Sequence, residues 1–491
     1  MVNINKSVLA PARIAHDSAH GPNVCYVVSH GFAARMVLHS ELLGELRKRE
    51  IEVSLLVPKD AVPSLAEFEA PGVRIIGVEF SKRRIHTSFG NAKRYLREPV
   101  KQNAALWSRH LFMASGSAGI YASVLAHLNY LGHLMLYRVA AFHRAFDRID
   151  KSVHRSASVR SALKTLRPSL VVSTYPVTAL EVATILEAQA FGIPTVGHLL
   201  SWDNITCKGR FTAIPDWFIS WGPIMTAELK EHYGIERSRV HDCGVPHFDA
   251  HRNLVNKQLQ NATLVRLGLD ADKPYLFFGM SAPIFAPHEI DIVEWLADQI
   301  RNDAFGPELQ LIIRPHPQNV RGNMADESWL PRLKALRGPK VALNLPILRE
   351  GGLDWDMETE DLAILVNLLH GCSICLNSGS TLSIDALAHS KPVIVTMFDA
   401  DKKLPWWKSA RRIRDYPHYQ KLIRLGGLSP VASYNELQIE IHRYIQNPNR
   451  LADSRDYTIQ QECSAIDGKS SQRVADALGA ILQLSQGASA E

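Results

Sequence analysis

Two successive series of short apolar runs, each run followed by a polar turn and a helical pattern, constrain this chain most. The first series is Val24–Ser29, Glu52–Val57, Val73–Val78, Leu170–Thr174, Ile193–His198, Trp217–Trp221 and Val240–Cys243. The second is Tyr275–Gly279, Leu309–Ile313, Val341–Leu345, Ser373–Leu376 and Pro392–Met397. Runs this short and apolar predict buried strands, and helical patterns between them predict parallel crossovers. Ala34–Arg49, Asp361–His370 and Thr381–His389 are the clearest helical stretches. The fold class that follows is α/β, with two Rossmann-like domains facing one another across a cleft.

With 491 residues the chain exceeds what one core organises. The series divide it into an N-terminal domain, 1–243, a C-terminal domain, 244–428, and a helical C-terminal tail, 429–491. Gly244-Val-Pro-His-Phe-Asp249 marks the crossing between the domains. From Ser81 to about Ser161 the strand rhythm stops, and a helical insertion in the first domain is expected, opening on Lys82, Arg83, Arg84, Lys93, Arg94, Arg97 and Lys101. Only Gln486 to Glu491 look disordered.

Polar residues gather where strands end. Arg314-Pro-His-Pro317 follows one predicted strand and Asn377-Ser-Gly-Ser-Thr381 another, placing both at the carboxyl rim of a sheet, where ligands of open α/β sheets bind. Arg314 and His316 can supply positive charge and donors, and Ser378, Gly379, Ser380 and Thr381 can supply hydroxyl and backbone donors for a phosphate. The same serines are ordinary helix-capping residues, and the two uses are compatible. Asp385, one turn into the following helix, can accept from ribose hydroxyls or simply match the helix dipole.

Composition narrows the partners. A net charge of +6 suits anionic partners such as nucleotide phosphates, acidic glycans or an anionic membrane surface. No nucleic-acid module is recognised, so a nucleic-acid partner is not expected. The six cysteines are scattered and read as reduced thiols of a cytoplasmic protein; Cys372-Ser-Ile-Cys375 sits inside a strand pattern and reads as structural. The N-terminus lacks a signal pattern, and Ala118–Leu136, the longest apolar stretch, is interrupted by His127, Asn129 and His133. The basic segment with Trp107 and Phe112 reads as a solvated surface, or as one that rests peripherally on the inner face of the membrane.

These residues resemble GT-B glycosyltransferases, in which one sheet domain holds the acceptor and the other the nucleotide-linked donor. The likeness is to bacterial transferases using cytidine-linked donors, namely sialyl- and Kdo-transferases and the CDP-glycerol glycerophosphotransferases. His316-Pro317 and Ser378, Ser380 and Thr381 stand where those carry a His-Pro and a Ser-rich motif. Ser201-Trp-Asp-Asn-Ile-Thr-Cys-Lys-Gly209 and Gly244-Val-Pro-His-Phe-Asp249 are similar to segments of surface-polysaccharide proteins, with Cys207 a departure. The likeness covers roughly residues 170–400.

The resemblance implies a sugar transfer from a nucleotide-activated donor to a glycan or lipid-linked acceptor in bacterial surface-polysaccharide synthesis. Asp203 can take the acceptor proton, or build an Asx loop with Asn204; Trp202, Asn204, Thr206 and Lys208 suit a sugar beside it. His30, ending the first strand, is a competing base, and Glu181 a third. No Asp-x-Asp pair is read at a strand end, so no metal is expected, and no cofactor beyond the nucleotide-sugar substrate. Alternatives are a CDP-glycerol-type polyol-phosphate transferase, a nucleotide-sugar epimerase or hydrolase, and an inactive scaffold subunit.

Overall fold

The computed structural model describes residues 21–320, 326–351, 353 and 357–487, and among them thirteen strands form two all-parallel sheets. The first holds β1 (Asn23–Val27), β2 (Glu52–Pro58), β3 (Val73–Val78), β4 (Leu170–Ser173), β5 (Thr195–His198), β6 (Trp217–Ser220) and β7 (Val240–Asp242), ordered β3-β2-β1-β4-β5-β6-β7. The second holds β8 (Tyr275–Gly279), β9 (Gln310–Arg314), β10 (Val341–Leu343), β11 (Ile374–Asn377), β12 (Val393–Thr396) and β13 (Ser429–Val431), ordered β10-β9-β8-β11-β12-β13. Each sheet is covered by helices on both faces, which is why its strands are apolar throughout rather than alternating.

Two departures from the sequence expectation have local causes. The helix expected over Ala34–Arg49 is two, Gly31–Val37 and Leu42–Lys48. Ser40 divides them: its hydroxyl donates to the Met36 carbonyl at 2.7 Å and accepts from the Leu42 N–H at 3.3 Å, so it replaces backbone bonds of a continuous helix. The stretch from Ser429 opens on β13, not on a helix; three residues centred on Pro430 carry no readable period, and Pro is tolerated there because β13 is an edge strand. Gln486 and Gly487 close the Ser470–Gly487 helix, and the rest of the segment expected to be disordered lies outside the described residues.

Between β3 and β4 the chain forms helices Arg84–Arg97, Ala104–Ala114, Ile120–Leu136, Ala140–Val153 and Ala157–Leu166. Lys93 of the basic opening is not solvated: it is buried on Asp150 at 2.6 Å, with His154 at 3.2 Å on the other oxygen. That node fastens the first of these helices to the fourth.

The C-terminal helix Ser470–Gly487 returns to the first half. Val474, Leu478 and Ile481 share one core with Val24, Tyr26, Leu42 and Leu46. The crossing turn fixes its start, because the Asp249 carboxylate accepts from the Ser470 and Ser471 N–H groups at 2.8 and 2.7 Å. A carboxylate there caps two orphan donors and meets the positive helix end. Asp249→Ala is expected to cost about 1–2 kcal/mol and lower the thermal unfolding midpoint; an unchanged midpoint would show that the cap contributes nothing.

Candidate functional site

Strand order reverses between β1 and β4 in one sheet and between β8 and β11 in the other. At such switch points loops diverge to opposite faces and leave a crevice beyond the strand ends. Ser29-His30 and Thr174-Tyr175 emerge at the first; Ser281 and Ser378–Thr381 emerge at the second, with Arg314-Pro-His-Pro317 leaving the neighbouring strand.

In the second half the loops converge. Phe278 of β8 pairs with Ile313 of β9 on one side and Leu376 of β11 on the other, so both motif loops leave the sheet at one level, about 10 Å apart across β8. Asn319 donates to the Ser281 carbonyl at 3.0 Å, and the Ser281 N–H donates to Glu289 at 2.7 Å. Glu289 in turn lies against Ser378. Burial pushes its carboxyl up to about 8, against the pull of the Ser378 and Ser281 donors.

The Ser-rich turn is built around Asn377. Its Oδ1 accepts from the Gly379 N–H (3.0 Å), the Ser380 N–H (3.1 Å) and the Ser383 hydroxyl (3.1 Å). Gly379 has φ +91°, and a Cβ there would stand 2.6 Å from Ile413, so only glycine fits. Ser378 is buried with its hydroxyl on Thr396 at 2.5 Å. The Gly379 and Ser380 amides expected for phosphate are thus engaged internally, and the half-exposed groups at this rim are the side chains of Ser380 and Thr381.

The three remaining donor-side candidates are also tied into the protein. Arg314 is buried, donating to Asn344 and to Asp361 at 2.5 Å, so its charge is neutralised within the domain. His316 accepts the Gln318 N–H at Nδ1 (3.1 Å), and burial pulls it down to about 4. It is therefore a neutral ring whose proton sits on Nε2, a donor rather than a cation. Asp385 accepts from Arg35 and from His251, each at 2.9 Å. Burial opposes its ionisation, yet these neighbours hold it well below the usual carboxylate range. Its carboxylate is engaged between the halves rather than turned to a ribose.

On the facing half, Glu181 accepts from Ser29 (2.5 Å), Ser173 (2.7 Å), Thr174 (3.1 Å) and the Tyr175 N–H (2.6 Å). Fully buried and saturated by four donors, it fixes the loops after β1 and β4 and has no lone pair placed for an acceptor. His30 caps the Gly31–Val37 helix, its Nδ1 accepting the Phe32 N–H at 3.2 Å, which leaves the proton on Nε2 in the neutral ring. Asp203 is partly exposed, bound by Lys208 at 2.9 Å and the Ser201 hydroxyl at 2.7 Å. Burial works against its charge, and the Lys208 ammonium with the Ser201 hydroxyl outweighs that and keeps it ionised.

The loop of Asp203 touches the other half. Trp202 is buried edge-on against His418 (4.6 Å) and Tyr419 (5.1 Å), and the Tyr419 hydroxyl donates to the Ser380 carbonyl at 2.9 Å. Asn204 Oδ1 closes the loop on the Ser201 N–H at 3.0 Å, and the Thr206 carbonyl accepts from Asn103 at 2.7 Å. The Lys208 carbonyl accepts from Arg94 at 3.1 Å; Gly209, at φ +90°, is required because a Cβ would meet Arg94 at 2.7 Å. Arg94 and Arg109 of the insertion stand within each other's field and that of Tyr175, and burial brings Arg94 down to about 10.

Sequence reasoning missed Glu289, Tyr419, His418 and the Arg94–Arg109 pair, because each lies far along the chain from the motif it supports. It also passed over Asp399-Ala-Asp401, which begins just after β12. Asp399 is buried there on the Ser409 hydroxyl and the Ala410 N–H (2.9 Å). Among the described residues no group of three or more His, Cys, Asp or Glu is placed to hold a metal.

No family model and no curated protein matches the sequence. Solved structures do match. UDP-GlcNAc 2-epimerase from Neisseria meningitidis, bound to UDP-GlcNAc, aligns with TM-score 0.51 and 13% identity over 93% of this chain and 99% of that one. MnaA of S. aureus, in a co-structure with UDP, aligns at 0.51 and 12% over 94% and 98%. The glycotransferase of kitacinnamycin aligns at 0.50 and 12% over 94% and 100%. The chain has the GT-B-type fold. At these identities the likeness is one of architecture.

Three buried histidines are kept neutral. Burial pulls His198 to about 3 and His316 and His418 each to about 4, below the 6.5 of an unfolded chain. Lowered folded values mean stability is complete above about pH 6.5 and is lost as pH falls towards about 4. The thermal midpoint is expected to drop across that window; a flat profile would contradict neutral burial of these rings.

Proposed function

We propose that the chain binds a nucleotide-activated sugar at the rim of the second sheet and transfers the sugar to a glycan or lipid-linked acceptor on the first half. The observation that carries this reading is the contact from Trp202 through Tyr419 to Ser380, which sets the Asp203 loop against the Ser-rich loop. A donor sugar held by the latter then lies within reach of an acceptor hydroxyl at the former.

Each residue has a role its geometry permits. Nε2–H of His316 and the hydroxyls of Ser380 and Thr381 donate to the donor phosphates, stabilising charge that grows on the leaving group. Neutral donors suit this task because they add no counter-charge that must be desolvated. Asp203, ionised and partly exposed, takes the acceptor proton. Glu181 positions the loops around it, and His30 caps the helix that follows β1. No metal takes part in the proposed transfer. Its setting is surface-polysaccharide assembly at the inner face of the cell membrane, and no described helix is long and apolar enough to cross one.

A second reading, epimerisation of the nucleotide-sugar in place, is favoured by Glu289, a carboxyl buried against Ser378 that carries a proton near neutral pH. The two readings part on one requirement, since transfer needs an acceptor and epimerisation does not.

A thermal-shift panel of CMP, CDP, UDP and GDP on wild type and His316→Ala tests the donor site. One nucleotide should raise the wild-type midpoint, and the variant should lose most of that shift. No shift from any nucleotide would favour a scaffold subunit. With the stabilising nucleotide's sugar as donor, Asp203→Asn should lower the transfer rate about 10²–10⁴-fold and leave the nucleotide shift intact. An undiminished rate would remove Asp203 from the base role.

A further inference from the structure

The Ile120–Leu136 helix carries no Asp, Glu, Lys or Arg, and one side of it is bare. Ile120, Val124, Leu128, Leu131, Leu134 and Met135 are 53–84% exposed. At 100° per residue their spacing confines them to one face, running about 25 Å along the helix. The opposite side holds the helix to the insertion. Ser123 donates to the Ala114 carbonyl at 2.8 Å, His133 bonds the Tyr95 carbonyl, and Tyr130 packs on His110 with ring centroids 4.9 Å apart. The apolar face is therefore held outward by contacts behind it. A face this size, turned to water on a monomer, marks an interaction surface.

Charge identifies what covers it. Residues 81–160 contain fourteen Lys and Arg but three Asp and Glu, an excess of eleven positives. The whole chain has an excess of only six, so everything outside the insertion is net negative. Two of the three acids are withdrawn from the surface, Glu98 on Arg210 at 3.0 Å and Asp150 on Lys93 at 2.6 Å. Exposed Arg138 stands just past the helix end, and exposed Arg144, Arg148 and Lys151 follow on the next helix of the insertion. Lys101 lies over the Trp107 and Tyr130 rings at 5.6 and 5.7 Å. An exposed apolar stripe in so cationic an insertion matches acyl chains beneath anionic headgroups, and a protein partner would need an apolar groove in an acidic surface.

We infer that the Ile120–Leu136 helix lies flat in the headgroup–acyl boundary of an anionic bilayer, with Arg138, Arg144, Arg148 and Lys151 on its phosphates. No described helix, this one included, is long and apolar enough to cross a membrane, so it lies on the surface. The other side of the insertion reaches the cleft, where Arg94 meets the Lys208 carbonyl and Ser108 meets the Tyr416 hydroxyl at 2.9 Å. Docking there brings the Asp203 loop close to the bilayer surface. The docking surface stands whether or not sugar transfer is the reaction.

Vesicle flotation of the full chain tests it, with phosphatidylcholine alone and with phosphatidylglycerol added. Wild type should float with the mixed vesicles and stay behind with phosphatidylcholine. Leu128→Glu/Leu131→Glu, at exposed positions, should lower partitioning at least about tenfold with an unchanged thermal midpoint, and Arg144→Glu/Arg148→Glu should remove the preference for anionic lipid. Wild type that ignores both vesicles, or a Leu128→Glu/Leu131→Glu variant that floats like wild type, overturns the inference. So does a wild-type dimer that this variant converts to monomer without lipid, since the face would then join two copies. The nucleotide-induced thermal shift reads the cleft separately: its persistence when flotation fails would sink the docking surface alone.

Discussion

The buried contact of Arg35 with Asp385 holds the two halves in register. Arg35 lies in the first helix after β1, and Asp385 in the helix that follows the Ser-rich turn after β11. Each element starts at a switch point, so their ion pair aligns the two crevices across the cleft. His251, from the crossing segment, completes the triad at 2.9 Å and bonds His389 at 2.9 Å on its other nitrogen. Removing one member of such a buried set strands the others, at about 3–5 kcal/mol. The carboxylate that looked suited to a ribose is in this way a tie between the two halves.

The same economy governs the rim of the second sheet. Arg314 is neutralised by Asp361, His316 is kept uncharged by burial, and Asn377 takes up the amides of its own turn. The rim thus keeps neutral donors on a rigid frame, and on the other half Asp203 is held by Lys208. Preorganised dipoles of this kind act where charge develops in a reaction, with little reorganisation. The insertion adds a cationic excess to the first half.

The architecture was legible because parallel strands buried on both faces read as unbroken apolar runs, and twelve such runs are strands here. What escaped were features without a period: the Ser40 break, and β13 with its central Pro430. Both motif loops were placed correctly on strand ends, since a polar turn after an apolar run is local information. Side-chain commitments were not legible. Nothing near Arg314 in sequence announces Asp361, and nothing near Asp385 announces Arg35, because both partnerships arise from strand order and domain packing. Glu289 and Tyr419 were missed for the same reason.

In the proposed function two loops of the second half serve one anionic ligand. Hydrogen exchange with and without the nucleotide that binds tests this most directly, followed peptide by peptide along the full chain. Slowed exchange is predicted together over residues 316–320 and 377–383, with the 201–209 loop responding as the facing wall. Protection of one loop without the other, or protection confined to the first half, would contradict it.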